Sequence, residues 1–271
     1  MQVVNKARIP NGLAPINMNA DGTFARSGIR LGSNGDSYYE YLLKQYIQTN
    51  RTEPVYLQMY ADAMQGVHEN LVFKTPRDGL TYIAELLPQA GGEKDWKTCV
   101  ECFFVFCFER EEETRRSEKR KRSAGEESID VADPPKEGER DWYIKGANKE
   151  GSPLYDVRYM LRPEISESVF LAWRLTGDAR YRSYAWDIFS AIERHCRLPG
   201  GGYATVLDVD NLPVSYLDKQ ETFFLSETLK YLYLTFADEN VLDLNEVVFN
   251  TEAHPLPIFN PSIKPLFTKY S

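Results

Sequence analysis

Residues 163–195 read PEISESVFLAWRLTGDARYRSYAWDIFSAIERH. Helical order begins at Pro163 and runs to Leu175, where Thr176-Gly177-Asp178 stops it. A second helix follows from about Tyr181 to His195, with Tyr181, Ala185, Ile188 and Ile192 on one face. Helix, tight turn and helix make an αα-hairpin, and much of the remaining chain follows the same scheme.

Upstream, Asp36 to Thr49 is helical, with Tyr39, Leu42, Leu43, Tyr46 and Ile47 on one face. Pro54 suits a first helical turn and opens a helix to about Val72 through Val55, Met59, Ala63, Val67 and Leu71. Phe73 to Leu87 reads as extended around Arg77-Asp78-Gly79. Downstream, Gly200-Gly201-Gly202 opens a short extended piece, Tyr203 to Leu207, and a helix runs from Glu221 to about Phe236. Val247 to Thr251 is a short strand followed by Pro-rich coil, and residues 1–35 read as loop. The pattern predicts an all-α fold of stacked αα-hairpins with short β-hairpins, rather than βαβ units.

The chain has 271 residues, 42% of them apolar and 13% aromatic, which is enough for a sizeable core. A net charge of −8 argues against a general nucleic-acid binder. Acidity with 17 Tyr and 4 Trp suits a sugar site, where rings stack on sugar faces, and is equally ordinary in a soluble enzyme. No apolar run is long enough to span a bilayer, and Met1 to Lys6 contains no signal core. Cys99-Val100-Glu101-Cys102 is formally a C-x-x-C, but His68, His195 and His254 are scattered, so unpaired thiols are the better reading than zinc.

Residues 103–141 stand apart as a charged insertion. From Glu109 onward the segment contains almost no large apolar residue and reads as solvated helix or disorder. Lys119-Arg120-Lys121-Arg122 resembles a nuclear localisation patch, yet a charged insertion explains it more simply. Asp208-Val209-Asp210-Asn211 lacks the Gly and distal Glu of an EF-hand loop.

Two acids stand at helix starts far apart in the chain, Asp36 and Glu164. Free N–H groups and the helix dipole favour a carboxylate there, so each alone reads as a cap. Glu227 differs: it sits mid-helix among apolar residues, where a buried acid is costly unless paired. Two carboxylates brought to one end of a helical assembly are also what hydrolysis of a glycosidic bond requires.

Four segments together resemble the class I α-1,2-mannosidases of glycoside hydrolase family 47, in the C-terminal half of their catalytic domain. They are Gly35-Asp36-Ser37-Tyr38-Tyr39-Glu40-Tyr41-Leu42-Leu43-Lys44, then Leu161-Arg162-Pro163-Glu164 with Glu167-Ser168. The others are Phe223-Phe224-Leu225-Ser226-Glu227-Thr228-Leu229-Lys230-Tyr231-Leu232 and Phe249-Asn250-Thr251-Glu252-Ala253-His254-Pro255. The resemblance implies an (α/α)7 barrel, here incomplete, and inverting, calcium-dependent removal of α-1,2-linked mannose from high-mannose N-glycans. It implies Glu164 as general base and Asp36 as a second catalytic carboxylate. Arg162, Pro163 and Phe223 would shape the mannose subsite, while Glu167, Glu227 and Glu252 would bind hydroxyls or metal-bound water. Thr251 would be the direct Ca2+ ligand, through hydroxyl and carbonyl oxygens. Such enzymes work in the endoplasmic reticulum and Golgi, and their membrane anchor would lie outside this chain.

The chain departs from that pattern in places. Nothing before Asp36 corresponds to the family's further catalytic Glu. Where the family carries Met-Asp-His-Leu before Cys-Phe, this chain reads Lys97-Thr98-Cys99-Val100-Glu101-Cys102-Phe103, without the site histidine. Segment 103–141 replaces a hairpin bearing the disulfide partner and another site Glu, so Cys102 is expected to be unpaired. Asn34 stands where endoplasmic-reticulum members carry Arg, which bears on branch specificity. A truncated or mis-spliced mannosidase would account for these departures. An inactive mannose-binding remnant is the alternative to an enzyme.

Overall fold

The computed structural model describes residues 2–7, 11–75, 79, 81–88, 96–104, 157–209 and 211–262. These fall into two compact units. The first takes the described residues up to Leu43 and from Val55 to 104; the second takes Lys44–Pro54 and the described residues from 157 to 262. Apart from Phe103 and Phe104, the charged segment 103–141 lies outside the described residues.

In the first unit, a short helix α1 (Gln2–Ala7) stands where the sequence suggested loop. Helix α2 (Asp36–Gln48) buries Tyr39 and Leu42, and its last residues belong to the second unit. Helix α3 (Pro54–Asn70) buries Tyr56, Met59, Ala63, Gly66 and Val67. It stops two residues short of Val72, which instead opens strand β1 (Val72–Lys74). β1 pairs antiparallel with β2 (Thr81–Pro88), which pairs antiparallel with β3 (Trp96–Phe104). This three-stranded sheet is larger than the short hairpins read from the sequence. Inward residues Tyr82, Ala84 and Leu86 alternate with less buried neighbours along β2, as a sheet with one core face requires. Ile29 joins the edge by exchanging backbone hydrogen bonds with Leu86 at 2.9 and 3.0 Å.

Gly66 shows how tightly the N-terminal loop lies on α3. Alanine is normally favoured over glycine inside a helix by about 1 kcal/mol. Here an added Cβ would stand 2.1 Å from the Asn11 carbonyl oxygen, a backbone atom that cannot swing aside. Overpacking of this kind costs about 1–3 kcal/mol and outweighs the propensity gain. Gly66→Ala is therefore expected to lower the melting temperature in circular dichroism, and a rise would show that the loop does not sit on the helix.

The second unit is built on the hairpin of the opening stretch. Helix α4 (Glu164–Thr176) ends at Gly177, whose φ of 66° provides the left-handed cap. Helix α5 (Ala179–His195) begins two residues earlier than Tyr181, because the Asp178 carboxylate accepts the Arg180 N–H and caps it. The final helical segment is not uniform: Phe224–Thr228 forms a π-helical turn, followed by α6 (Leu229–Phe236). Strands β4 (Thr205–Val206) and β5 (Tyr216–Leu217) make one hairpin, and β6 (Val247–Phe249) pairs with β7 (Pro255–Pro257) in another. Pro255 and Pro257 were expected in coil, but this two-stranded pair has only edges, where proline is tolerated.

Two clusters fill this unit. Leu161, Val169, Ala185, Ile192, Phe224 and Leu232 pack between α4, α5 and the last helix. Phe170, Tyr231 and Phe249 form a ring triangle with centroids 5.4–5.9 Å apart, tying α4, α6 and β6 together. Aromatic pairs at such distances contribute about 0.5–1.5 kcal/mol beyond burial. The triangle thus sets the spacing of the three segments that carry the polar residues described next. Among the described residues, no helix is long and apolar enough to cross a membrane.

Candidate functional site

The approach to α4 is strained. Leu161, fully buried, has φ 61°, an unusual conformation for a residue with a Cβ. The turn leaves Arg162 and Glu164 exposed while Pro163 is buried as the residue preceding the helix. Arg162 Nη1 donates to Glu164 Oε1 at 3.3 Å, and the same guanidinium lies 5.5 Å from the centre of the Phe223 ring. Pro163 offers no side-chain cap, so the first turn relies on dipole and solvent, and the Glu164 carboxylate is oriented by Arg162. One turn on, Glu167 pairs with Lys44 at 3.0 Å.

The last helix supplies the buried acid. In the π-helical turn the Leu229 N–H reaches back to the Phe224 carbonyl, one residue further than in an α-helix. The widened turn lets adjacent residues Glu227 and Thr228 both point inward. Glu227 is only 5% exposed. Burial raises its pKa from the usual 4.5 to about 7, and the charges of Glu252, Glu164 and Glu167 push the same way, against Lys230. Glu227, in the π-turn, is therefore within electrostatic reach of Glu164 and Glu167 on α4 and of Glu252 on the β6–β7 turn.

The β6–β7 turn presents Thr251 and Glu252 to solvent. Asn250 organises it: its side-chain oxygen accepts the Glu252 and His254 N–H groups at 3.0 and 2.8 Å. Ala253, fully buried with φ 53°, turns the chain back. Lys230 Nζ donates to the Ala253 carbonyl at 2.8 Å, fastening the turn to α6. A cavity of about 180 Å³ opens beside Arg162 and Phe223, with Arg158, Lys219, Glu221 and Thr205 among its lining.

Eight of the residues singled out in the sequence thus belong to the second unit: Arg162, Pro163, Glu164, Glu167, Phe223, Glu227, Thr251 and Glu252. Asp36 belongs to the first unit, where it opens α2, is exposed, and accepts the Ser37 N–H at 2.8 Å. Among the described residues, no three His, Cys, Asp or Glu side chains gather closely enough to hold a metal alone. Lys44, Thr228 and Lys230 were missed as site residues. Lys230 lies three positions after Glu227, a spacing that places two side chains on one helical face and was available as a signal.

The second unit thus brings a buried carboxyl, Glu227, and an arginine lying over the Phe223 ring onto neighbouring segments. The chain belongs to glycosyl hydrolase family 47, whose model matches residues 1–134 and 105–258. It is 36% identical over 277 residues to mannosyl-oligosaccharide 1,2-alpha-mannosidase IA of Sus scrofa, covering 97% of this chain and 41% of that protein. It is likewise 36% identical over 272 residues to the endoplasmic reticulum mannosyl-oligosaccharide 1,2-alpha-mannosidase of Homo sapiens, with 93% and 38% covered. For the mannosyl-oligosaccharide 1,2-alpha-mannosidase of Candida albicans the identity is 36% over 303 residues, with 96% and 52% covered. The chain therefore spans between 38% and 52% of the length of these relatives. Among solved structures, alpha-1,2-mannosidase from Trichoderma reesei superposes with a TM-score of 0.64 at 22% identity, covering 95% of this chain and 59% of that one, a likeness of fold.

Proposed function

We propose that this chain carries the C-terminal part of an inverting, calcium-dependent α-1,2-mannosidase. It would trim terminal α-1,2-linked mannose from high-mannose N-glycans in the secretory pathway, on an (α/α)7 barrel framework. The observation that supports this most is Glu227, an acid buried to 5% exposure within reach of the charges of Glu164, Glu167 and Glu252, in a chain of this family.

In this reading Glu164 is the general base: exposed at the helix start and held by Arg162, it can take a proton from an attacking water. Arg162 and Phe223 bind the sugar, the ring against its apolar face and the guanidinium against its oxygens. Glu227, with its pKa near 7, holds its proton in part of the molecules at neutral pH and then donates a hydrogen bond to a hydroxyl. Glu167 and Glu252 accept from hydroxyls. The family resemblance assigns the role of second catalytic carboxylate to Asp36.

The donor chemistry fits calcium. Thr251 offers oxygen atoms on an exposed turn, next to the exposed carboxylate of Glu252. Hard oxygen donors are what calcium takes, with waters completing the shell. Thr251 would hold it, and the bound ion would supply charge neutralisation and contacts to sugar hydroxyls.

The test is mannose release from α-1,2-mannobiose by the purified chain, with calcium or chelator, and with Thr251→Ala as control. Calcium-dependent release abolished in the variant is expected. Mannobiose binding without release would favour a binding remnant, and neither binding nor release would sink both readings.

A further inference from the structure

Two loops carry the proposed site residues, and each contains one fully buried residue in the left-handed region. Leu161 precedes Arg162, and Ala253 follows Glu252. Residues with a Cβ persist there only when their surroundings hold them. In both loops the carbonyl of the strained residue accepts a hydrogen bond from the same short helical segment. Thr228 Oγ1 donates to Leu161 O at 2.7 Å, and Lys230 Nζ donates to Ala253 O at 2.8 Å.

The two donors come from either side of the junction between the π-turn and α6. The π-turn is what turns Thr228 inward beside Glu227, and Lys230 follows two residues later on the same short segment. One short segment thus carries the buried acid and grips both loops. A chain relaxing at Leu161 would swing Arg162 and Glu164, and one relaxing at Ala253 would swing Thr251 and Glu252.

We infer that Thr228 and Lys230 are positioning residues. Thr228 fixes the loop carrying Arg162 and Glu164, and Lys230 fixes the turn carrying Thr251 and Glu252. The inference rests on the mannosidase reading only for its kinetic readout. Neither side chain is asked to touch the sugar or the reacting atoms.

The test uses the full chain with Thr228→Val, which keeps shape and loses the hydroxyl, Thr228→Ser, which keeps the hydroxyl, Lys230→Met and Lys230→Arg. Hydrogen exchange followed by mass spectrometry reads loops 159–167 and 250–254. Faster exchange in the first loop for Thr228→Val, and in the second for Lys230→Met, is expected, each restored by its conservative partner. Unchanged exchange in both loops, or equal change in all four variants, overturns the inference whatever the activity.

On α-1,2-mannobiose, Thr228→Val is expected to lower kcat by about tenfold to a hundredfold with little change in KM, since misplacing a reacting group acts on the chemical step. Lys230→Met is expected chiefly to raise KM. Thr228→Ser should recover most of the lost kcat. Equal loss in Val and Ser variants, tracking only their melting temperatures, would reduce Thr228 to a packing residue. A wild-type chain without turnover defeats the mannosidase reading, while the exchange experiment still decides the positioning roles.

Discussion

Glu164→Gln is expected to reduce mannose release from α-1,2-mannobiose by about 10²–10⁴-fold, the range a general base contributes. The substitution keeps size and shape. Its side-chain oxygen can still accept from Arg162, which in the native chain stands 3.3 Å away. What it loses is the ability to take a proton. The backbone around it is held independently: Ser168 Oγ donates to the Glu164 carbonyl at 2.9 Å, and the Glu167 N–H reaches the Pro163 carbonyl at 2.9 Å. Because Glu164 is exposed, stability should change by no more than about 0.5 kcal/mol. Initial rates and calorimetry with mannobiose separate the two quantities. Binding kept and turnover lost is the expected pair; undiminished turnover would move the base to another carboxylate.

Glu227→Gln should do the opposite to stability. The native carboxyl has its pKa raised from 4.5 to about 7, chiefly by burial and secondarily by neighbouring acids. Below pH 4.5 it is protonated in both folded and unfolded chains and costs nothing. Between pH 4.5 and 7 the unfolded chain ionises first, so stability falls as pH rises through that window. Above pH 7 the loss is complete and corresponds to about 3 kcal/mol. A neutral glutamine removes the ionisation, so the variant should be more stable than the native chain by roughly that amount at pH 8, and equal to it near pH 4. Urea unfolding across pH 4–8 checks it; parallel curves for the two chains would show that Glu227 ionises normally. A residue retained against such a cost fits the trade of stability for function.

The helical part of the second unit was readable because its signals are local. Apolar spacing along 163–175 and 181–195, with Gly177 between, requires nothing beyond a few neighbouring residues. Even so, the start of α5 shifted to Ala179, because the decisive event is the Asp178 cap. The three-stranded sheet was legible only as extended chain: pairing Thr81–Pro88 with Trp96–Phe104 depends on partners that periodicity does not name. Pro255 and Pro257 look like coil formers, and only a pairing partner in β6 makes them a strand.

The site divides in the same way. The sequence by itself determined the family, the order of the helices, and which acids were out of place, above all Glu227 between apolar neighbours. Tertiary structure alone decided that Glu227 is buried within reach of the charges of Glu164, Glu167 and Glu252, and that the helix carrying it opens into a π-turn. It alone showed that Thr228 and Lys230 grip two strained loops. The physical reason is range. Helix propensity and capping act over a few residues, whereas desolvation, charge repulsion and a carbonyl held 67 residues away along the chain exist only once the helices have packed.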